Sequence, residues 1–360
     1  MTTETITTPS RMRAMTALGA DWWNDSGIPA EVGEAVALGA VGGTSNPVIV
    51  AQAVESNPEL CQPLLEQLIK DNPTAIEDEI AWKLIHRLGT DAAAELRPVF
   101  DATGGAKGFL SMQVNPKFYP SPEKMVEQAV ELTSLAPNIA IKAPANAAGL
   151  IAIEEMTARG IRVNVTVSFT VAQVIAAGEA IARGQKRAKE NGCLDDRGSP
   201  CITHMVGRVD DQLGRAAIDQ GVDPKLPAIA WSGIAVFKRA RAELKQRGLP
   251  GTLLAAAYRH EGHWAEIIGT DVLQTVPYTW WKKFDKSERE PALTIDTPVD
   301  PALIAELSAT FPDFVRAYEP DGMKPSEFGQ YGATQHTLQQ FLGGYCDLLN
   351  LVRASMLKHA

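Results

Sequence analysis

The sequence of 360 residues is poor in cysteine and carries no excess of positive charge. Its four cysteines lack the paired spacing of a zinc site or redox motif, so we expect free thiols. The net charge of −9 provides no basic field for nucleic acid. No apolar run approaches the length that spans a bilayer, and the N-terminus lacks the apolar core of a signal peptide. We therefore expect a soluble cytoplasmic protein without nucleic-acid or membrane partners.

Short apolar runs alternate with longer helical patterns along the whole sequence. Apolar runs that indicate strands lie at residues 39–44, 108–114, 138–143, 161–167, 201–207, 252–258 and 271–277, with a weaker one near 18–23. Helical patterns between them include residues 122–135, 147–158, 170–191, 233–247 and 259–268. Strand and helix alternating about eight times imply a parallel sheet, and closure into a (β/α)8 TIM barrel is the simplest arrangement.

Two segments are longer than this repeat requires. Residues 48–106, between the second and third strands, have room for two or more extra helices. Residues 300–360 contain one helical pattern near 301–308 and another near 335–357. We predict one barrel domain over residues 1–360 with these two helical additions. Their surfaces are available for a homodimer, although nothing in them requires one.

Polar side chains concentrate where the predicted strands end. The active site of such a barrel lies at the carboxyl ends of its strands. The polar or charged residues at these ends are Thr44, Asn46, Gln113, Lys142, Asn164, Thr166, Arg208 and Arg259. A core does not need these groups, so their convergence from separate strands predicts one site.

Lys142 lies at the end of the apolar run in "NIAIKAPANAAG", residues 138–149. Burial lowers the pKa of a lysine, and the neutral amine attacks carbonyl carbon to form an imine. Such an imine accepts electrons when the adjacent carbon–carbon bond breaks. The alternative is that Lys142 extends its ammonium to water or pairs with a carboxylate.

Arg208 and Arg259 follow two neighbouring predicted strands. A guanidinium binds phosphate oxygens in pairs, and two guanidinium groups make a site for a dianion. The alternative for Arg208 is an ion pair with an aspartate of its own segment, "GRVDD".

Four motifs appear in an order and spacing that indicate a family. They are "GGTSNP" at 42–47, "IKAPA" at 141–145, "NVTVSFTVAQ" at 164–173 and "VGRVDD" at 206–211. Over residues 20–280 the sequence resembles the transaldolases, which are class I Schiff-base aldolases on a (β/α)8 barrel. The resemblance makes Lys142 the Schiff-base lysine, Asn46 and Asn164 ligands of the substrate hydroxyls, and Thr166 a ligand of the catalytic water.

The resemblance also implies the remaining parts of the site. Asp25 matches the acid that moves the proton of the sugar C4 hydroxyl, and Asp21 is the alternative. Arg208 and Arg259 match the phosphate-binding arginines. Substrate contacts are also expected from two further strand-end residues, Thr44 and Thr203.

Three departures from the family pattern bear on the substrate. Gln113 stands where glutamate is usual, and an amide holds a water but does not ionise. Residues 203–205, "THM", replace the usual small residue, proline and aromatic. Ala257 replaces a serine beside Arg259. We hypothesise that His204 restores acid–base capacity lost at Gln113.

The resemblance implies transfer of a dihydroxyacetone unit from a ketose phosphate to an aldose phosphate, without metal or organic cofactor. Gln113 leaves open a divergent aldolase acting on fructose 6-phosphate or another sugar. A non-catalytic sugar-phosphate binding protein is the third possibility. His260 and His263 have a spacing that suggests a metal, but we expect them to face solvent on a helix.

Overall fold

Eight parallel strands form a closed barrel in the order of the sequence, with the last strand paired to the first. The computed structural model describes residues 10–358. The strands are β1 (Asp21–Asp25), β2 (Gly42–Thr44), β3 (Phe109–Gln113), β4 (Ile139–Pro144), β5 (Val163–Ser168), β6 (Cys201–Met205), β7 (Thr252–Ala256) and β8 (Leu273–Pro277). The predicted (β/α)8 barrel is confirmed.

Helices surround this barrel and extend beyond the eightfold repeat. They are α1 (Arg11–Ala17), α2 (Pro29–Ala37), α3 (Pro47–Ser56), α4 (Pro58–Asp71), α5 (Glu77–Ala102), α6 (Pro122–Thr133), α7 (Ala147–Ala158), α8 (Val171–Glu190), α9 (Val206–Gln220), α10 (Ser232–Arg247), α11 (Gly262–Ala265), α12 (Tyr278–Phe284), α13 (Pro301–Thr310), α14 (Pro312–Tyr318) and α15 (Gly332–Met356). Helices α3 to α5 connect β2 to β3, and α13 to α15 follow β8. The extra helices are therefore present where the sequence predicts them.

The barrel interior is apolar towards its amino end. Trp23 of β1, Phe109 of β3 and Leu254 of β7 belong to one buried cluster, although their strands lie on different sides of the barrel. Every residue of β3, β4 and β5 is buried, because helices cover the outer face of these parallel strands. This covering explains why the strands appear in the sequence as continuous apolar runs.

Helix α15 extends from the barrel mouth to the helical insertion. It packs on α3, α4, α5 and α9 and contacts β5. Leu338 and Phe341 of this helix line a narrow space together with Gln113 and Thr166. The Tyr345 hydroxyl donates a hydrogen bond of 2.8 Å to Asp78 of α5. The last helix thus covers part of the carboxyl end of the barrel.

Some predicted boundaries are wrong. The helix predicted at 259–268 is the single turn of α11, because the chain after β7 makes an irregular turn in which Ala257 has φ +64°. Strand β2 begins at Gly42 and not at residue 39 as predicted, because Gly39 has a φ of +98°, which is not a strand conformation. None of the helices within residues 10–358 has the length and apolar content needed to cross a membrane.

Candidate active site

Lys142 lies in the barrel interior and is 6% exposed. It pairs in register with Gln113 of β3 and with Asn164 of β5. Side chains in register on neighbouring strands share one face, so these three groups lie side by side. A lysine this buried does not extend its amine into bulk water, and its charge must be balanced within the barrel.

Asp25 is the acidic residue that acts on this lysine electrostatically. Burial lowers the pKa of Lys142, and the charge of Asp25 opposes this with a smaller upward effect. Burial likewise raises the pKa of Asp25, while Lys142 and the Thr44 hydroxyl lower it less. Both shifts favour the uncharged forms, so Lys142 has more free amine at neutral pH than an exposed lysine has.

Asp25 is held by a chain of hydroxyl groups from two strands. The Thr44 hydroxyl donates a hydrogen bond of 2.5 Å to Oδ1 of Asp25. Since this hydroxyl has only one proton, Thr275 is the donor in the 2.6 Å contact between the two threonine oxygens. Thr275 of β8 escapes sequence analysis because a threonine inside a strand is an ordinary β residue.

Asn164 is fixed from both sides by hydroxyl groups. Its Nδ2 donates to Oγ of Ser111 at 3.0 Å, and the Thr203 hydroxyl donates to its Oδ1 at 2.7 Å. The second Nδ2 proton and the second lone pair of Oδ1 stay available for a ligand. Thr203 thus orients Asn164, and Ser111 is a contributor that the sequence does not indicate.

Two buried oxygens near Lys142 have no hydrogen-bond partner among residues 10–358. They are Oε1 of Gln113 and the hydroxyl of Thr166. Thr166 lies in the second half of β5 beside Val167, whose φ of +54° accompanies a shift in register between β5 and β6. This backbone conformation is unfavourable for a β-branched residue, and such strain concentrates at functional sites. Both oxygens are suited to hold a water molecule.

Asn46 and Asp21 differ in their relation to the barrel mouth. Asn46 lies just after β2, where its Oδ1 accepts a 3.1 Å hydrogen bond from the Ile49 N–H and caps α3. Its Nδ2 is not used by this cap. Asp21 begins β1 at the opposite, amino end of the barrel and pairs with Lys107 at 2.6 Å. Asp21 therefore lies away from Lys142.

Arg208 and Arg259 lie at neighbouring strand ends, as predicted, but a carboxylate lies between them. Asp211 accepts from Nε of Arg259 at 2.9 Å and from Nη2 at 2.6 Å. The closest Arg208 nitrogen, Nη1, lies 3.9 Å from Asp211. The alternative of an arginine–aspartate pair is thus observed, and Arg259 makes it more closely than Arg208 does.

The prediction that both histidines of "RHEGH" face solvent is wrong for His263, which is fully buried. Its Nε2 lies 2.8 Å from Oδ2 of Asp210, and Nε2 of the partly exposed His260 lies 3.4 Å from that oxygen. These three side chains place possible metal-ligand atoms within 4.8 Å of one another. However, the N–H of Arg259 donates to Nδ1 of His263, so the neutral ring carries its proton on Nε2. This tautomer forms a hydrogen bond to Asp210 instead of presenting a lone pair to a cation.

His204 lies on the side of β6 that faces the helices. Thr203 points to Asn164 in the barrel interior, so the next residue points outward. The His204 ring is fully buried and meets Phe237 of α10 edge-on, with ring centroids 5.9 Å apart. Burial lowers the pKa of His204 to about 4. The hypothesis that it replaces acid–base capacity beside Gln113 has no support in this placement.

Comparison with known proteins identifies the family of this chain. The family model described as transaldolase/fructose-6-phosphate aldolase matches residues 22–319. The chain belongs to this family. The match begins within β1, includes the other seven strands in full and confirms the resemblance found in the four motifs.

Individual relatives are moderately similar to this family member. A transaldolase of Saccharopolyspora erythraea is 27% identical over 303 residues, which cover 76% of this chain and 80% of that protein. Transaldolase 1 of Streptomyces avermitilis is 33% identical over 205 residues, or 56% of this chain. That alignment spans 52% of the Streptomyces protein, about half its length. A transaldolase of Thiobacillus denitrificans is 30% identical over 222 residues, 61% of each chain.

Proposed function

We propose that this protein is a Schiff-base enzyme that transfers a dihydroxyacetone unit from a ketose phosphate to an aldose phosphate. The observation that carries the proposal is the buried Lys142 beside Asp25, with the pKa of its amine lowered. Membership of the transaldolase/fructose-6-phosphate aldolase family and the names of the relatives support the reaction class.

Lys142 starts the reaction by attacking the ketone carbon, and the carbinolamine loses water to give an iminium ion. Asp25 accepts the proton of the C4 hydroxyl while the C3–C4 bond breaks and its electron pair moves into the iminium. The donor aldehyde leaves and an enamine stays on Lys142. The enamine carbon then attacks the carbonyl carbon of an acceptor aldehyde, and Asp25 returns its proton to the new hydroxyl group. Water finally hydrolyses the imine and releases the product. The raised pKa of Asp25 suits both transfers.

Gln113 and Thr166 are proposed to hold the water that imine formation releases and hydrolysis consumes. Their buried oxygens lack partners among residues 10–358. The register of Gln113 with Lys142 supports this role, because it puts the amide and the amine on the same face of neighbouring strands. Asn46, Asn164 and Thr44 would orient the sugar hydroxyls from neighbouring strand ends.

Arg208 and Arg259 are proposed to bind the phosphate of the sugar. Both lie just after strands that border the same side of the mouth, and guanidinium groups suit phosphate oxygens. The proposed substrate therefore carries a phosphate group. A homodimer, a cytoplasmic location and one domain over all 360 residues stay predictions.

A second candidate function is cleavage of fructose 6-phosphate without transfer. Gln113 favours it, because the glutamate usual at this position ionises and an amide does not. In that reaction the enamine carbon takes a proton, and water releases free dihydroxyacetone.

Turnover with and without acceptor tests both functions. We expect release of glyceraldehyde 3-phosphate from fructose 6-phosphate to require erythrose 4-phosphate. Acceptor-independent release would instead establish the aldolase. Lys142→Arg keeps the charge but removes the amine that forms the imine, so it is the control that must abolish either reaction. Sugar-phosphate binding without turnover under any condition would contradict both and leave a binding protein.

A further inference from the structure

The arginine pair at the barrel mouth is already partly neutralised by a side chain of this protein. Arg208 and Asp211 lie three residues apart on α9, so both project from the same face of the helix. The start of α9 contacts the end of β7 directly, since the N–H of Gly207 donates to the Ala257 carbonyl at 3.1 Å. This contact brings Asp211 to Arg259.

A side chain at residue 207 would prevent this approach. A Cβ atom there would lie 2.1 Å from the Ala257 oxygen and 2.7 Å from Cγ of Arg259. The glycine therefore sets the distance between α9 and the segment that carries Arg259.

Asp211 occupies the edge of Arg259 that would otherwise bind two oxygens of a phosphate. Both Nε and Nη2 donate to its carboxylate, while Nη1 donates to the Tyr258 carbonyl at 2.9 Å. The guanidinium has thus used a donor on each of its three nitrogens. An anion that engages this edge must displace Asp211 from it.

Arg208 has the opposite arrangement. Its Nε is buried and has no hydrogen-bond partner among residues 10–358. Among residues 10–358, Asp211 has the only carboxylate oxygen within 4 Å of this guanidinium, at 3.9 Å from Nη1. The site therefore contains one open guanidinium and one that is engaged by Asp211.

We propose that Asp211 is a specificity-determining residue that competes with the substrate phosphate for Arg259. This inference rests on the proposed function, in which both arginines bind a sugar phosphate. With Asp211 ionised, the three side chains together carry a charge of +1, and without its charge they carry +2. Asp211 thus weakens the binding of phosphate. It thereby reduces the preference of the site for phosphorylated ketoses over unphosphorylated ones.

Calorimetric titration of the full chain with inorganic phosphate, at fixed ionic strength, tests this competition. Asp211→Asn should bind phosphate about three to ten times more tightly than the parent, because Arg259 gains free donors and a repulsive charge is removed. Asp219→Asn, an exposed charge change on the same helix, is the matched control and should leave affinity unchanged. Arg259→Gln should weaken binding in both backgrounds.

The kinetic readout separates competition from a merely structural role. The ratio of kcat/KM for fructose 6-phosphate to that for fructose should rise in Asp211→Asn by the factor seen in phosphate binding. Asp211→Ser serves as a second variant with a smaller side chain.

Unchanged or weaker phosphate binding in Asp211→Asn, with binding still sensitive to Arg259→Gln, would overturn this inference alone. Absence of phosphate binding in the parent and in both variants would overturn it together with the arginine phosphate site. Borohydride trapping of an imine on Lys142 does not depend on either result, so the proposed chemistry is judged separately.

Discussion

At the scale of single residues, the proposed chemistry depends on the neighbourhood of Lys142 and Asp25. Burial raises the pKa of Asp25 and lowers the pKa of Lys142, so the barrel interior favours the uncharged form of each group. Lys142 then supplies the amine, and Asp25 is the group that accepts a proton at the sugar. These two roles are separable by mutation.

Asp25→Asn should separate imine formation from bond cleavage. The amide keeps the size of the side chain but does not accept the C4 hydroxyl proton, so turnover should fall about 10²- to 10⁴-fold. Borohydride should still trap the substrate on Lys142 of this variant. Parallel measurement of turnover and adduct mass checks the prediction, and equal loss of both would show that Asp25 acts before cleavage.

His204 should make stability depend on pH. Its pKa is about 4 in the folded protein, while a histidine in the unfolded chain titrates near 6.5. Between these two pH values the histidine is protonated in the unfolded chain but neutral in the folded protein. The free energy of unfolding therefore decreases as pH falls from about 6.5 to about 4, by up to about 3 kcal/mol.

Replacement of this histidine by an apolar residue should remove that dependence. His204→Leu should flatten the unfolding free energy measured by urea between pH 7 and 4.5. The partly exposed His336→Gln is the control and should change the slope less. A His204→Leu slope equal to that of the parent would contradict the buried neutral state.

At the scale of elements, Asp210 connects α9 to α10 and to the turn after β7. Its Oδ1 accepts hydrogen bonds from the Ser232 hydroxyl and the Gly233 N–H at the start of α10. Its Oδ2 accepts from His263, whose other nitrogen accepts the N–H of Arg259. Burial acts to raise the pKa of Asp210, but hydrogen bonds with His260, His263 and the Gly233 N–H together lower it well below its usual range.

Asp210→Asn should destabilise the protein by about 2 to 3 kcal/mol. The amide N–H₂ faces either His263 or the donors at the start of α10, so at least one buried donor loses its partner. Urea unfolding at pH 7 measures this. Asp219→Asn on the same helix should change the free energy of unfolding by less than about 0.5 kcal/mol. Equal stability of the two variants would contradict this role.

Some features of the candidate site are predictable from the sequence and others are not. The sequence predicts that Lys142 and the strand-end amides belong to the site, because active sites of these barrels lie at the carboxyl ends of the strands. This prediction requires only the strand boundaries. The sequence does not predict the burial of His263. The helix expected at 259–268 is only the single turn of α11, and the irregular segment around it directs the ring inward. The sequence does not predict the roles of Ser111 and Thr275, because only their contacts across strands distinguish them from other hydroxyl residues.

At the scale of the whole molecule, α15 connects the C-terminal addition to the barrel mouth. The helical pattern near 335–357 predicts the helix, but its packing partners depend on tertiary contacts between residues far apart in the sequence. Phe341 is 4% exposed and lies beside the space formed by Gln113 and Thr166. The addition thus forms part of the wall around the candidate active site.

Phe341→Ala should affect both stability and reaction outcome. Loss of a buried aromatic side chain costs about 3 to 5 kcal/mol, and the opened space admits water beside Gln113 and Thr166. Urea unfolding should show the loss, and acceptor-independent release of dihydroxyacetone should rise. Gln339→Ala, on an exposed face of the same helix, is the control. A stable Phe341→Ala variant with an unchanged ratio of transfer to release would contradict this role of α15.

The most direct test of the central claim is borohydride reduction in the presence of fructose 6-phosphate, followed by intact and peptide mass measurement. The proposed mechanism predicts one reduced adduct of dihydroxyacetone size on the peptide that contains Lys142, and none in Lys142→Arg. An adduct on another lysine, or no adduct with any ketose phosphate at concentrations that bind, would contradict it.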